Sequence, residues 1–373
     1  MNTQTEPVRF AKARTEPFPQ GTACMRVVDP DQGSMPQPSD ISERARDIRS
    51  VIHTEDERLR AKHPWLLQQD RLGMLAFLGS LAVMAGVVTL YLQGMLAWWL
   101  AIPVMAMAIS ILHELEHDLI HDLYFRGQPW VQNLMFTVIW FSKLSLNPWY
   151  RRGIHLKHHL VSGQSVDIEE RLIGLGLPFG FLRALVTLHP MAGLLLFRGI
   201  KRDVPEFQPW RLALLSVPTY TLFWVIWESF CGYIRLQQGW ALQYDPAHLL
   251  PVWGWPRARD AAVLLVIPNI LRQASLVLIS SSSHYYGDIP LRDVFFQNQV
   301  LNSWWLAPFQ LFCFNFGATH IIHHYVIAQP FYLRQMVARV ALAEMLRQGT
   351  RHNDLGTFRR ANRWGDHLVR KPR

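Results

Sequence analysis

Residues 113–121 read HELEHDLIH, with His113, His117 and His121 each four positions from the next, directly after a long apolar run. A step of four returns to the same side of an α-helix, so the three imidazoles share one face. The run before them, 95–112, is one of four stretches near the roughly 20 residues needed to cross a hydrocarbon core of about 30 Å. The others are 72–92, 212–234 and 261–280. Only Gln93 and Gly94 separate the first two, which predicts a helical hairpin. Two further apolar stretches, 131–146 and 177–197, are flanked by charge or interrupted by Pro178, Arg183, His189 and Pro190, and read as interfacial or re-entrant helices.

The composition agrees. Half of the 373 residues are hydrophobic and fifteen are Trp, yet residues 1–70 are polar and rich in Pro. The expected fold is an all-α integral membrane protein with four transmembrane helices in two hairpins, interfacial helices and a cytoplasmic, histidine-rich, metal-binding cap. Three segments are expected: a polar cytoplasmic arm, 1–70, disordered or loosely docked; a membrane domain, 71–330; and a basic amphipathic segment, 331–373. Arg334, Arg339 and Arg347 stand among Val, Ala and Leu in that last segment, which reads as a helix lying on the inner leaflet or covering the site. The net charge of +9 comes without a basic stripe interleaved with aromatics, so no nucleic-acid partner is expected.

Charge sets the expected orientation. Eleven Lys and Arg lie in the first 71 residues and ten in 113–210, against none at the Gln93 hairpin tip and only Arg257 and Arg259 in the 237–259 loop. Positive residues mark the cytoplasmic side, which places both termini there. The segment before the first span lacks the short apolar core of a signal peptide, so that span is expected to insert the chain.

The same compartment then receives HLKHH, with His155, His158 and His159, and HIIHH, with His320, His323 and His324; His284 in SSSHYYGD joins them. Ten of the sixteen histidines converge on one side of the membrane. A single histidine near a membrane is most often a hydrogen-bonded interfacial residue, but two HxxHH groups and one HxxxHxxxH group on one side point to a metal site. Cys24, Cys231 and Cys313 are too few and scattered to hold it, so the ligands are nitrogen or oxygen. One zinc needs only four ligands, so a set of this size implies two metal ions, and nitrogen-rich ligation with open positions points to iron and dioxygen. Haem is disfavoured, because no span carries a histidine in its middle.

The clusters, in this order and separation, resemble the histidine boxes of the membrane fatty acid desaturase and hydroxylase superfamily, which also includes alkane monooxygenases. The resemblance covers 72–325. HELEH is similar to the first box of alkane hydroxylases, and HDLIHDLYF to the start of bacterial desaturases. NPWYRRGIHLKHHLVSGQ at 147–164 resembles the second box, ATHIIHHY the third, and His284 the isolated ligand between them. The resemblance implies two non-haem irons on the cytoplasmic face, held by about nine histidines beneath a four-helix cone that houses an alkyl chain. The ten candidates therefore exceed the positions by one, and the surplus lies among His113, His117 and His121.

Metal-bound imidazoles need acceptors for their other N–H, and Glu114, Glu116, Asp118, Asp122, Asp167, Glu169, Glu170 and Asp288 lie near ligands in sequence. Asp167 ranks first among them, since the family's second box is followed by an acid there. Asn269 reads as a kink beside Pro268 or as a water-holding residue near a metal. Arg151 and Arg152 suit an anionic head group, an acidic redox partner or plain snorkelling. GLGLPFG at 174–180 follows no strand and is not a dinucleotide loop. Electrons are therefore expected from an external donor of ferredoxin, rubredoxin or cytochrome type.

The implied activity is dioxygen-dependent attack on a C–H bond of a fatty acyl or alkyl lipid, by desaturation or hydroxylation. The alternative outcome is oxidative decarboxylation of a free fatty acid to a terminal alkene, an activity of one bacterial branch of the superfamily. Two other classes compete: a zinc-dependent membrane hydrolase, which needs fewer ligands, and an ion-relay transporter, which is expected to place ionisable residues inside its spans.

Overall fold

The computed structural model describes residues 38–189, 191–237 and 255–365, which belong to one compact unit. Residues 1–37 of the expected arm, most of the 237–259 loop and the last eight residues lie outside the described residues. Among the described residues the structure is helical, with only isolated bridges such as His284–Asn298.

Helix α1 (Pro38–Lys62) precedes the predicted hairpin, α2 (Gln69–Leu92) and α3 (Trp98–Ile120). The turn between them uses Gly94 at φ +71°, a left-handed conformation that glycine adopts without strain. The second arm does not stop at Leu112. It runs on through HELEHDLI, so one continuous helix carries the first histidine cluster, with His121 capping its end. Gly73 on α2 lets the hairpin close on the Tyr124 ring, which a Cβ would meet at 2.5 Å.

Next come α4 (Pro129–Lys143), α5 (Pro148–Val161), α6 (Ile168–Leu172), α7 (Phe181–Leu188) and α8 (Phe197–Asp203), all too short to cross. After α9 (Pro209–Gln237), α10 (Trp255–Ala261) passes through a π-helical turn, Ala262–Val266, into α11 (Ile267–Ser283). Short helices α12 (Val294–Gln297) and α13 (Ala307–Leu311) lead to α14 (Phe316–Tyr325), which carries the third cluster, and to α15 (Phe331–Arg347).

Three helices among the described residues are long and apolar enough to cross a membrane: Gln69–Leu92, Trp98–Ile120 and Arg257–Ser283. The expected third span does form a helix, the 29-residue α9, but its Thr, Tyr, Trp and Pro residues dilute the aliphatic ones and it does not join that set. On α2, Leu75, Leu78, Val83 and Leu90 are exposed, as a lipid-facing surface requires.

One expectation needs correction. From residue 38 onward the arm is not loosely docked: Ile41, Ile48, Ile52 and Leu59 of α1 pack with Leu333, Val337, Ala341 and Met345 of α15 and with Ile321 and Ile322 of α14. The apolar stripe of α15 meets α1, and Arg334 points inward with 2 % exposure.

Candidate metal centre

Helices α3, α5 and α14 and the end of α11 bring nine of the ten histidines into two groups. His117, His121, His155, His159 and His323 form one, and His158, His284, His320 and His324 the other; within each, one ring nitrogen per residue lies within 4.8 Å of all the others. The groups adjoin, with the His159 and His324 ring centroids 5.0 Å apart. His113 belongs to neither. One turn deeper on α3, it lines a cavity instead.

Distances within the groups are informative. His121 Nε2 lies 2.9 Å from His155 Nε2, 3.2 Å from His159 Nε2 and 3.1 Å from His323 Nε2. In the second group, Nε2 atoms of His324 and His320 are 3.1 Å apart, those of His320 and His284 3.2 Å, and those of His158 and His324 3.4 Å. Nitrogens bound to one ion at about 2.0–2.1 Å stand roughly 3.0–3.4 Å apart in octahedral or tetrahedral arrangements. Aiming so many lone pairs at one point is repulsive without a cation, so the donor set fits one metal ion per group. The buried Nε2 of His117, which has no hydrogen-bond partner, fits the first.

The opposite ring nitrogens are held as metal ligands require. Nδ1 of His155 lies 2.6 Å from Glu169 Oε2, that of His158 2.8 Å from Asp167 Oδ2, that of His284 2.7 Å from the Ser280 carbonyl, and that of His324 3.1 Å from Gln297 Oε1. Each contact keeps the Nδ1 proton and leaves the Nε2 lone pair for the ion. Burial pulls His121 down to about 2 and His284 to about 3, so these rings are neutral. His158 is the exception: burial lowers it, but the Asp167 and Glu170 carboxylates outweigh burial and hold it up at about 9. Asp167 also caps α6, accepting from the Glu170 N–H at 3.1 Å. Asp167→Asn is expected to weaken metal retention about ten- to a hundredfold, read by competition with a chelator; unchanged retention would remove Asp167 from this role.

The remaining acids have other partners. Glu116 sits between Lys143 at 2.5 Å and Arg151 at 2.7 Å, and Arg151 continues to Glu169 at 3.4 Å. Glu114 and Asp118 both take Arg334, at 3.2 and 2.7 Å. Asp122 accepts from Gln132, and Asp288 from the backbone of Trp364 and Gly365. Asn269 donates to the Ser142 and Leu265 carbonyls, leaving its buried Oδ1 without a partner.

An apolar cavity of about 190 Å³ reaches both groups, with His117, His155, His158, His284 and His320 in its wall. Leu146, Ile154, Val186, Leu212, Phe223 and Leu276 supply much of the rest. Sequence reasoning passed over Lys143 and Arg272, which also line it; a lone Arg in the otherwise uncharged stretch 261–280 was the available signal.

The sequence profile of the fatty acid desaturase family matches residues 93–356. The chain belongs to the fatty acid desaturase family. That match begins at the hairpin turn and ends beyond α15, taking in all ten histidines. A search of the curated proteins finds no match. As a member of this family the protein is a membrane oxidoreductase of lipid metabolism, and its histidine groups suit the iron on which the family typically depends.

Proposed function

We propose that the protein is a non-haem di-iron, dioxygen-dependent oxidoreductase that attacks a C–H bond of a fatty acyl or alkyl chain, by desaturation or hydroxylation. The observation that carries this reading is the pair of adjoining imidazole groups opening onto one apolar cavity. His117, His121, His155, His159 and His323 would hold one iron, and His158, His284, His320 and His324 the other. When bound, the irons supply dioxygen activation and accept electrons from an external donor of ferredoxin, rubredoxin or cytochrome type.

The chain's own contribution is placement. Glu169 and Asp167 fix two rings at Nδ1, and the aliphatic wall excludes water and holds an alkyl chain beside the histidines. The Lys and Arg bias supports a cytoplasmic active site, with α9 as the fourth crossing.

Metal analysis of the purified protein, with product analysis after incubation with reductant, dioxygen and either fatty acids or alkanes, tests the reading. Two irons per chain and an internal double bond or an alcohol are expected. An alkene one carbon shorter than the acid would replace this outcome with decarboxylation. Two zincs without dioxygen consumption would overturn the oxygenase reading altogether.

A further inference from the structure

Arg272 is 1 % exposed, lines the cavity, and belongs to the helix Arg257–Ser283. Only Nη2 is engaged, donating to Gln273 Oε1 at 3.0 Å; Nε and Nη1 are buried with no partner. A buried guanidinium without a counter-charge is strongly destabilising. Nearby acids do not relieve it. Glu116 is shared by Lys143 and Arg151, Glu169 serves His155 and Arg151, and Glu114 and Asp118 take Arg334. Among the described residues, no carboxylate comes within ion-pair distance of Arg272.

Two further cations, Lys143 and Arg151, line the same cavity, each already paired with an acid. Asn269, one turn before Arg272, is bonded to the carbonyl of Ser142, the neighbour of Lys143. Burial, then Arg151 and Arg272, push the Lys143 ammonium down to about 7 against the pull of Glu116. An ionisable residue kept inside a membrane span generally marks a substrate or ion path. Beyond the histidines, Lys143 and Arg151 with Glu169 and Glu170, and the polar Ser145, Asn269, Gln273 and Ser280, the wall is aliphatic and aromatic, so a ligand that satisfies Arg272 and fills the cavity combines one small anionic head with an apolar body.

We propose that Arg272 binds the carboxylate of the substrate, and that the substrate is a free long-chain carboxylic acid, not a thioester, ester or alkane. This rests on the oxygenase reading for its chemistry but not for its binding. A thioester or ester carbonyl carries no charge to match the guanidinium, and an alkane has no polar atom. A carboxylate can accept from guanidinium nitrogens that otherwise have no acceptor. Anchoring the head makes the attacked carbon one counted from the carboxyl end.

The test is equilibrium binding to the iron-loaded protein in detergent, without reductant so that no turnover occurs, using dodecanoate, dodecanol, methyl dodecanoate and dodecanoyl thioester. Wild type is expected to prefer dodecanoate over dodecanol roughly a hundredfold, the scale of a buried charge-assisted contact. Arg272→Met should bind the acid and the alcohol alike, and Arg272→Lys should keep part of the preference. Without ligand, R272M should melt higher than wild type, because it removes an unpaired buried charge. Equal binding of acid and alcohol by wild type, tighter binding of the thioester, or competition by inorganic phosphate at the same concentration as dodecanoate would overturn the proposal. So would an R272M variant that melts lower and loses all four ligands equally. Iron content is measured alongside: a wild type without two irons fails the oxygenase reading and leaves the binding result standing.

Discussion

His121→Ala is expected to lower iron from two per chain towards one and to reduce turnover by well over a hundredfold, whereas His113→Ala keeps both irons. The contrast follows from position. His121 Nε2 stands 2.9–3.2 Å from the Nε2 atoms of His155, His159 and His323, at the centre of the five-histidine group. Without it that group loses the ring common to those three contacts, a larger change than the ten- to hundredfold typical of disturbing a ligand's hydrogen-bond partner. His113 sits about two turns before His121 on the same helix face, about 12 Å away along the axis, and lines the cavity outside both groups. Its loss should change KM more than metal content. Metal analysis of both variants decides, and a His113→Ala protein that loses an iron while His121→Ala keeps two would reverse the assignment.

That distinction marks where sequence reading reached its limit. Spacing alone put His113, His117 and His121 on one face, because a four-residue step is a local property of helices. Which ring is surplus depends on how deep α5 and α14 bring their own histidines against α3, a tertiary quantity. The hairpin was legible because two uninterrupted apolar runs meet at Gln93-Gly94, where only a turn fits. The packing of α1 on α15 was not. Ile41, Ile48, Ile52 and Leu59 form a thin stripe in a segment that is polar on average, and their partners lie nearly three hundred residues away. Arg272 escaped for the opposite reason: nineteen apolar or small polar neighbours swamp one charge in a span-length average, although that charge is the costliest feature of the stretch. Among the acids, Asp167 was ranked first by its place after the second cluster, while Glu169 was one candidate among eight until α6 folded back and set it against His155.

Arg334→Met is expected to destabilise the protein by about 3–5 kcal/mol, the scale for breaking a buried ion pair from one side. Arg334 joins α15 to α3 through Asp118 at 2.7 Å and Glu114 at 3.2 Å, with all three side chains buried. Asp118 further accepts from the Tyr124 hydroxyl at 3.0 Å and the Phe331 N–H at 2.8 Å, so it is the knot between the hairpin and the start of α15. Methionine fills much of the space but leaves two carboxylates of like charge facing each other in a dry interior. Adding Asp118→Asn and Glu114→Gln to Arg334→Met should therefore recover part of the loss, since the triple variant has no charge left to strand. The sign of that recovery separates an electrostatic role from a packing role, which the extra substitutions would only worsen. Metal content supplies an independent reading. Arg334 Nη1 also lies 3.5 Å from His117 Nδ1, so loosening α15 should release the iron of the five-histidine group before that of the four-histidine group. Thermal unfolding of the single and triple variants with iron counted per chain gives both answers, and a single variant within about 1 kcal/mol of wild type would show that α15 is held by its apolar stripe on α1 alone.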